Sequence, residues 1–226
     1  MPPLPPQDQY GNLLMDRRSS AAGQLPVSFS HWLHRQRHNC RVCHSELEFA
    51  MEAEGTVIGK TDHDSGRFCG ACHDGRTAFA TTGSCESCHN GDIRHGSEKF
   101  LPTFSPIPYA YAPYGNGIDW AELQRQGLID PARYLKHEVR DVPFDRELTL
   151  DAEWCRIPPA VFPHKAHTEW LECNSCHPGI FNIKKKTTRH FRMNRILKGE
   201  FCGACHMKVA FPMNDCERCH PGINIR

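Results

Sequence analysis

Twelve of the chain's 13 cysteines fall into six Cys-x-x-Cys pairs, and a histidine follows every pair at once. They are Cys40/Cys43/His44, Cys69/Cys72/His73, Cys85/Cys88/His89, Cys173/Cys176/His177, Cys202/Cys205/His206 and Cys216/Cys219/His220; only Cys155 stands apart. No other feature constrains the fold as strongly. Zinc sites, redox disulfides and covalent haem attachment all use paired cysteines. A zinc protein has no reason to place histidine after every second cysteine, and a disulfide framework has less. Covalent haem attachment uses all three residues. The two thiols add to the two vinyl groups of one haem, and the histidine reaches the iron. Two intervening residues set the sulfurs a vinyl-to-vinyl distance apart. The pattern predicts six covalently bound haem c groups, with the six motif histidines as proximal iron ligands.

The rest of the composition agrees. Leu, Ile, Val and Phe together number 44 of 226 residues, against 17 Pro and 17 Gly. That is a poor supply for a conventional core, while a net charge of only +1 argues against plain disorder. Haem supplies the missing apolar surface. Burying on the order of 500 Å² of porphyrin is worth roughly 12 kcal/mol gross, at about 25 cal/mol per Å². The predicted fold is therefore a few short α-helices and much coil around a haem core. With 27 basic and 26 acidic side chains, the chain has no charge signature of a nucleic-acid binder. No apolar run approaches the length of a membrane span.

An internal repeat organises the motifs. His31, His34, Cys40, Cys43, His44, Cys69, Cys72 and His73 each recur 133 residues later, as His164, His167, Cys173, Cys176, His177, Cys202, Cys205 and His206. The third motif recurs at an offset of 131. Local text repeats as well: "FSHWLH" with "FPHKAH", "GRFCGACH" with "GEFCGACH". The predicted organisation is an N-terminal extension, 1–28, and a triheme module, 29–96. A linker, 97–158, then leads to a second triheme module, 159–226.

The linker opens with "FLPTFSPIPYAYAPYGNG", predicted to be extended. "IDWAELQRQG" predicts a short helix capped by Asp119 and stopped at Gly127, and Asp130-Pro131 a further helical turn. The first 28 residues lack the basic and apolar regions of a signal peptide. Covalent haem attachment of this kind takes place outside the bacterial inner membrane. A periplasmic or extracellular location is therefore expected, with the numbering starting after an export signal or from a misassigned start.

F-x-H-x-x-H ahead of C-x-x-C-H, with two more such motifs within about fifty residues, resembles the triheme class III cytochromes of the cytochrome-c-seven type. These are relatives of tetrahaem cytochrome c-three. The resemblance covers both modules and leaves the linker and N-terminus unexplained. It implies mostly bis-histidine haems, little secondary structure, and electron transfer in anaerobic respiration. It also implies the distal ligands: His31 opposite His44, His34 opposite His73, His164 opposite His177, and His167 opposite His206.

The third haem of each module is less uniform. The family's remaining distal ligand precedes the second motif, where His63 stands in the first module but Ile196 in the second. Candidates there are Met193 and His190. Tandem members of the family use methionine on this haem, which favours Met193; the commonness of distal imidazole favours His190. Met193 is taken as the ligand, with His190 as the alternative. His38, His95 and His137 are read as surface or packing residues, and Cys155 as a buried thiol.

Three function classes follow. A wire of six-coordinate haems transfers electrons and has no substrate site. A multihaem reductase needs one open iron face, often marked by an altered motif; none of the six is altered. A structural haem subunit of a quinone–cytochrome complex or a cytochrome filament looks the same at this level. The wire is preferred. Two propionates per haem bring its formal charge to about −5 when ferric and about −11 when ferrous. Partners are then redox proteins with basic patches, such as cytochromes or membrane quinone oxidoreductases, or metal acceptors.

Overall fold

The computed structural model describes residues 3–108, 111–140, 142, 144–151, 157–182 and 191–224. Cys155 and His190 lie outside them. Each module is entered through a two-stranded antiparallel ribbon. Strand β1 (Asn12–Met15) pairs with β2 (Val27–Ser30), Asn12 opposite Ser30. Strand β3 (Glu147–Leu150) pairs with β4 (Ala160–Pro163), Glu147 opposite Pro163. The second strand of each ribbon runs straight into the helix that carries H-x-x-H, α1 (His31–Arg35) or α5 (His164–Thr168). Among the described residues no helix exceeds six residues, and none is long and apolar enough to cross a membrane. Elements this short do not persist alone and must be held by what they pack against.

One apolar cluster holds the middle of the molecule: Trp32, Phe100, Phe104, Ile118, Trp120, Leu123, Ile129 and Trp170. Trp32 comes from the first module and Trp170 from the second; the rest lie in 97–158. Rings meet edge-on, Trp32 with Phe100 at 5.1 Å and Phe104 with Trp120 at 5.5 Å between centroids, the favoured aromatic geometry. Helix α4 (Trp120–Arg125) starts where its cap stands, with Asp119 Oδ1 accepting the Glu122 N–H at 3.1 Å. It stops at Gly127, whose φ of +68° suits glycine.

Two local expectations fail for tertiary reasons. The stretch predicted to be extended begins as helix α3 (Phe100–Phe104), because Phe100 and Phe104, one turn apart, both bury in the cluster. Pro102 is tolerated since it falls in the first turn, where no N–H is needed. Asp130-Pro131 opens no helix. Ala132 instead donates to Arg37 O and accepts from Asn39 N, both at 2.8 Å, tying the linker to the approach to Cys40.

The modules join through the first motif. Asn39 Nδ2 donates to Glu169 O at 2.8 Å, and the Arg41 N–H to Trp170 O at 3.1 Å. Arg41 also pairs with Glu172, and Ser45 Oγ donates to Asn174 Oδ1 at 3.1 Å. The termini are stitched in too: the buried Tyr10 donates its hydroxyl to Ala210 O at 2.6 Å.

Candidate haem sites

Every motif sits on a short helical turn. Five of the six close it with the motif histidine's N–H on the first cysteine's carbonyl, at 2.8–3.0 Å: His73 on Cys69, His89 on Cys85, His177 on Cys173, His206 on Cys202 and His220 on Cys216. Such a turn brings both sulfurs and the imidazole to one side of the chain. All twelve motif cysteines are free of disulfides. Burial pushes the thiols of Cys43 and Cys205 up to about 12, and those of Cys69 and Cys202 up to about 11. These sulfurs belong in an apolar, neutral setting, as thioethers do. Among the described residues no three His, Cys, Asp or Glu side chains converge to hold a metal ion.

The histidines are tethered in a way that would suit axial ligation. Ten of the candidate ligands hold Nδ1 against a backbone carbonyl and leave Nε2 as the free lone pair. In the first module the acceptors are Gly11 O for His31 (2.8 Å), Ser30 O for His34 (2.8 Å), Phe49 O for His44 (3.0 Å), Phe79 O for His73 (3.1 Å) and Leu25 O for His89 (3.0 Å). In the second they are Arg146 O for His164 (2.7 Å), Pro163 O for His167 (2.8 Å), Phe181 O for His177 (2.7 Å), Phe211 O for His206 (2.8 Å) and Pro158 O for His220 (2.8 Å). This second layer fixes tautomer and ring orientation and strengthens the ligating nitrogen. Burial holds His31 and His206 down to about 4, and lowers His34, His44 and His167 as well. A neutral imidazole is the ligating form.

Two facing pairs give the spacing directly. The rings of His34 and His73 lie 6.2 Å apart between centroids, and those of His167 and His206 also 6.2 Å. Two imidazoles bound trans to one metal at about 2 Å each would stand about 6.3 Å apart. His31 lies close enough to His44 to feel its charge. The phenylalanine of F-x-H-x-x-H has a task that went unread in the sequence. Phe29 stacks on His34 at 4.5 Å and meets His31 edge-on at 4.8 Å; Phe162 repeats both contacts with His167 and His164, at 4.2 and 4.9 Å. The repeated "FSHWLH" and "FPHKAH" carried that signal.

A continuous cavity of about 2660 Å³ runs between these side chains, lined from both modules by residues such as Phe29, His34, Cys69, His167, Cys205 and Phe211. A single small-molecule site takes roughly 300–1,000 Å³. Sulfurs from successive motifs stand within electrostatic reach. Cys43 feels Cys72 and Cys69, Cys69 feels Cys88, Cys202 feels Cys219, and Cys205 feels Cys176 and, across the junction, Cys40. Donor set, spacing and space all fit haem c.

The third site differs between modules. His63, on α2 (Lys60–Asp64), lies near His73 and His89, and its buried Nδ1 has no partner among the described residues. Ile196 takes the same backbone place on α7 (Met193–Ile196). A Cβ added at Gly70 would meet His63 O at 2.2 Å, and one at Gly203 would meet Ile196 O at 1.9 Å, so each middle motif needs glycine between its cysteines. Met193 opens α7 on the cavity wall, 37% exposed. His95 and His137 are exposed and His38 is half-buried beside Ala132.

No curated protein is a detectable relative. Among solved structures, the C-terminal hexaheme fragment of GSU1996 aligns over 100% of this chain and 99% of its own at 25% identity, with a TM-score of 0.31. A c7-type three-heme cytochrome domain aligns over 39% of this chain and 95% of its own at 31% identity, TM-score 0.31. The dodecaheme cytochrome c GSU1996 covers 95% and 75% at 25% identity, TM-score 0.33. The family model for cytochrome c7 and related cytochrome c matches twice, over residues 27–90 and 160–221, one match on each C-x-x-C-H cluster. With both matches together spanning more than half of its length, the chain belongs to the family of cytochrome c7 and related cytochromes c.

Proposed function

We propose that the chain is a hexahaem electron-transfer protein, with six covalent haem c groups and two axial side chains at each iron. Each haem, when bound, supplies one-electron chemistry by cycling iron between ferric and ferrous. The chain's part is to hold the rings close and keep the irons closed to substrate. The twelve motif cysteines attach the haems, and the six motif histidines are the proximal ligands. His31, His34, His164, His167 and His63 are distal imidazoles, and Met193 is the distal ligand of the last haem. The paired rings at 6.2 Å, tethered through Nδ1 in both modules, carry this reading. Tethered ligands change little between oxidation states, which suits transfer over chemistry. The setting we infer is periplasmic or extracellular, with other redox proteins or metal acceptors as partners in anaerobic or extracellular respiration. The deciding experiment is the intact mass of the protein matured in a haem-attaching host. Six covalent haems that survive acid–acetone extraction are expected, and the reduced protein should bind less than one equivalent of carbon monoxide. Fewer than six haems would sink the proposal.

A second reading attaches to one haem. The buried Ile196, standing where the first module has His63, leaves the last haem without an imidazole from that position. If Met193 did not ligate, that iron would have an open face, as a reductase needs. With Met193 bound, the ferric protein shows a methionine–iron charge-transfer band that Met193→Ala abolishes. The haem of Cys216, Cys219 and His220 is then the easiest of the six to reduce, because thioether ligation favours ferrous iron. A band that survives the substitution rejects Met193. Loss of six-coordination in His190→Ala would install His190 instead.

A further inference from the structure

Arg35, the last residue of α1, lies at the junction between the modules and on the cavity wall. Its guanidinium is sandwiched between two indoles, with Cζ 4.3 Å from the Trp170 ring centroid and 5.1 Å from that of Trp120. Its Nε is fully covered and has no hydrogen-bond partner among the described residues. Among the described residues, the groups within reach of its charge are Tyr10, His31, Cys40, Asp119 and His206. Asp119 is the acid among them, and it is committed elsewhere, accepting from Arg218 Nη1 at 2.9 Å and from the Glu122 N–H at 3.1 Å. Indole faces attract a cation without neutralising it. A guanidinium set into a cavity wall with its Nε covered, and with no uncommitted anion beside it among the described residues, calls for a counter-ion. The repeat shows that this need belongs to the junction. The residue 133 positions on is Thr168, so the second module has no copy of Arg35.

We propose that Arg35 binds a haem propionate at the junction. The inference rests on the hexahaem reading, since haem is what brings a carboxylate into this cavity. A planar guanidinium takes a carboxylate through two parallel N–H···O bonds, and indole stacking holds its plane still. Two haems qualify: the one held by Cys40, Cys43 and His44, and the one held by Cys202, Cys205 and His206. Cys40, which would hold the first, and His206, which would hold the second, both lie within reach of the Arg35 charge, on opposite sides of the module boundary. Neutralising a propionate there favours the ferrous state of that haem, making it easier to reduce than if the same propionate stood unpaired. Arg35 is thus a positioning and tuning residue for electron passage between modules, with no direct contact to iron.

The test uses the full holo-protein as wild type, Arg35→Gln and Arg35→Lys. Intact mass first establishes six haems, and a shortfall in wild type would fault the hexahaem reading rather than this one. A redox titration followed by the assigned haem-methyl NMR signals then reads each haem separately. In Arg35→Gln, one of the two junction haems is expected to rise at least tenfold in its ferric-to-ferrous ratio at the wild-type midpoint, a 59 mV fall for one electron. The other four should change less than twofold, and Arg35→Lys should keep most of the wild-type value. Which of the two moves identifies the propionate's owner. Unchanged junction haems, or equal shifts in Gln and Lys variants, would overturn the proposal. If Arg35→Gln fails to mature, the wild-type holo crystal structure decides. A propionate oxygen within about 3.2 Å of the guanidinium supports it, and a guanidinium partnered only by protein or water refutes it.

Discussion

Produced without haem, the chain will show a coil-like far-UV circular dichroism spectrum and no cooperative thermal transition, while the matured protein will melt cooperatively. The reason lies in how little apolar surface the chain can bury by itself. Among the described residues the buried apolar cluster has eight side chains, in a chain of 226 residues, and every helix described is at most six residues long. Such helices lie far below the length at which they are stable alone. One haem contributes roughly 12 kcal/mol of gross apolar burial, comparable to the whole net stability of an ordinary domain, about 5–15 kcal/mol. The effect of a single lost haem should be graded by position. Cys40→Ser with Cys43→Ser removes the group nearest the junction, where Arg41 pairs with Glu172 and Asn39 holds Glu169. It should lower the melting temperature more than Cys85→Ser with Cys88→Ser, at a motif whose first cysteine is exposed. A haem-free chain with native-like near-UV signals and a sharp melt would contradict this account of the core.

Replacing His167 by alanine is expected to change ligation at one iron and no other. His167 faces His206 at 6.2 Å, is stacked on Phe162 and is tethered to Pro163 O. Its removal leaves no tethered imidazole on that side of the haem held by Cys202, Cys205 and His206. The ferric spectrum should gain a high-spin component of about one haem in six, and the reduced protein should take up about one further equivalent of carbon monoxide. His34→Ala should do the same at the haem of Cys69, Cys72 and His73, since His34 and His73 share the geometry. His38→Ala is the control. It lies on the same approach to Cys40, carries no Nδ1 tether and faces Ala132, so its spectrum should match wild type. Unchanged carbon monoxide uptake in His167→Ala would refute the pairing.

What could be read from sequence is local chemistry. Haem attachment needs two thiols and an imidazole within five consecutive residues, so six motifs were legible without a fold. The 133-residue repeat was legible because duplication preserves spacing. The H-x-x-H pairs were visible for the same reason, although their partners were implied by family resemblance alone. The short helix after Asp119 could be read because its cap is a side chain three residues from the N–H that it accepts. The tethers could not. They are backbone carbonyls, which every residue carries, so Gly11, Leu25, Arg146 and Pro158 bear no mark of their task. Gly11 and Arg146 reach their histidines because a ribbon folds back, β1 on β2 and β3 on β4, while Leu25 and Pro158 are met by third-motif histidines 64 and 62 residues further along the chain. The junction was equally hidden. Packing sets Cys40 within electrostatic reach of Cys205 and the first motif against residues 169–175, because Trp32 and Trp170 enter one apolar cluster. Residue order and spacing are enough to mark the six attachment motifs and their duplication. The tertiary structure decided which sites adjoin, since contact between distant segments is set by the faces they bury together, and no spacing along the chain records it.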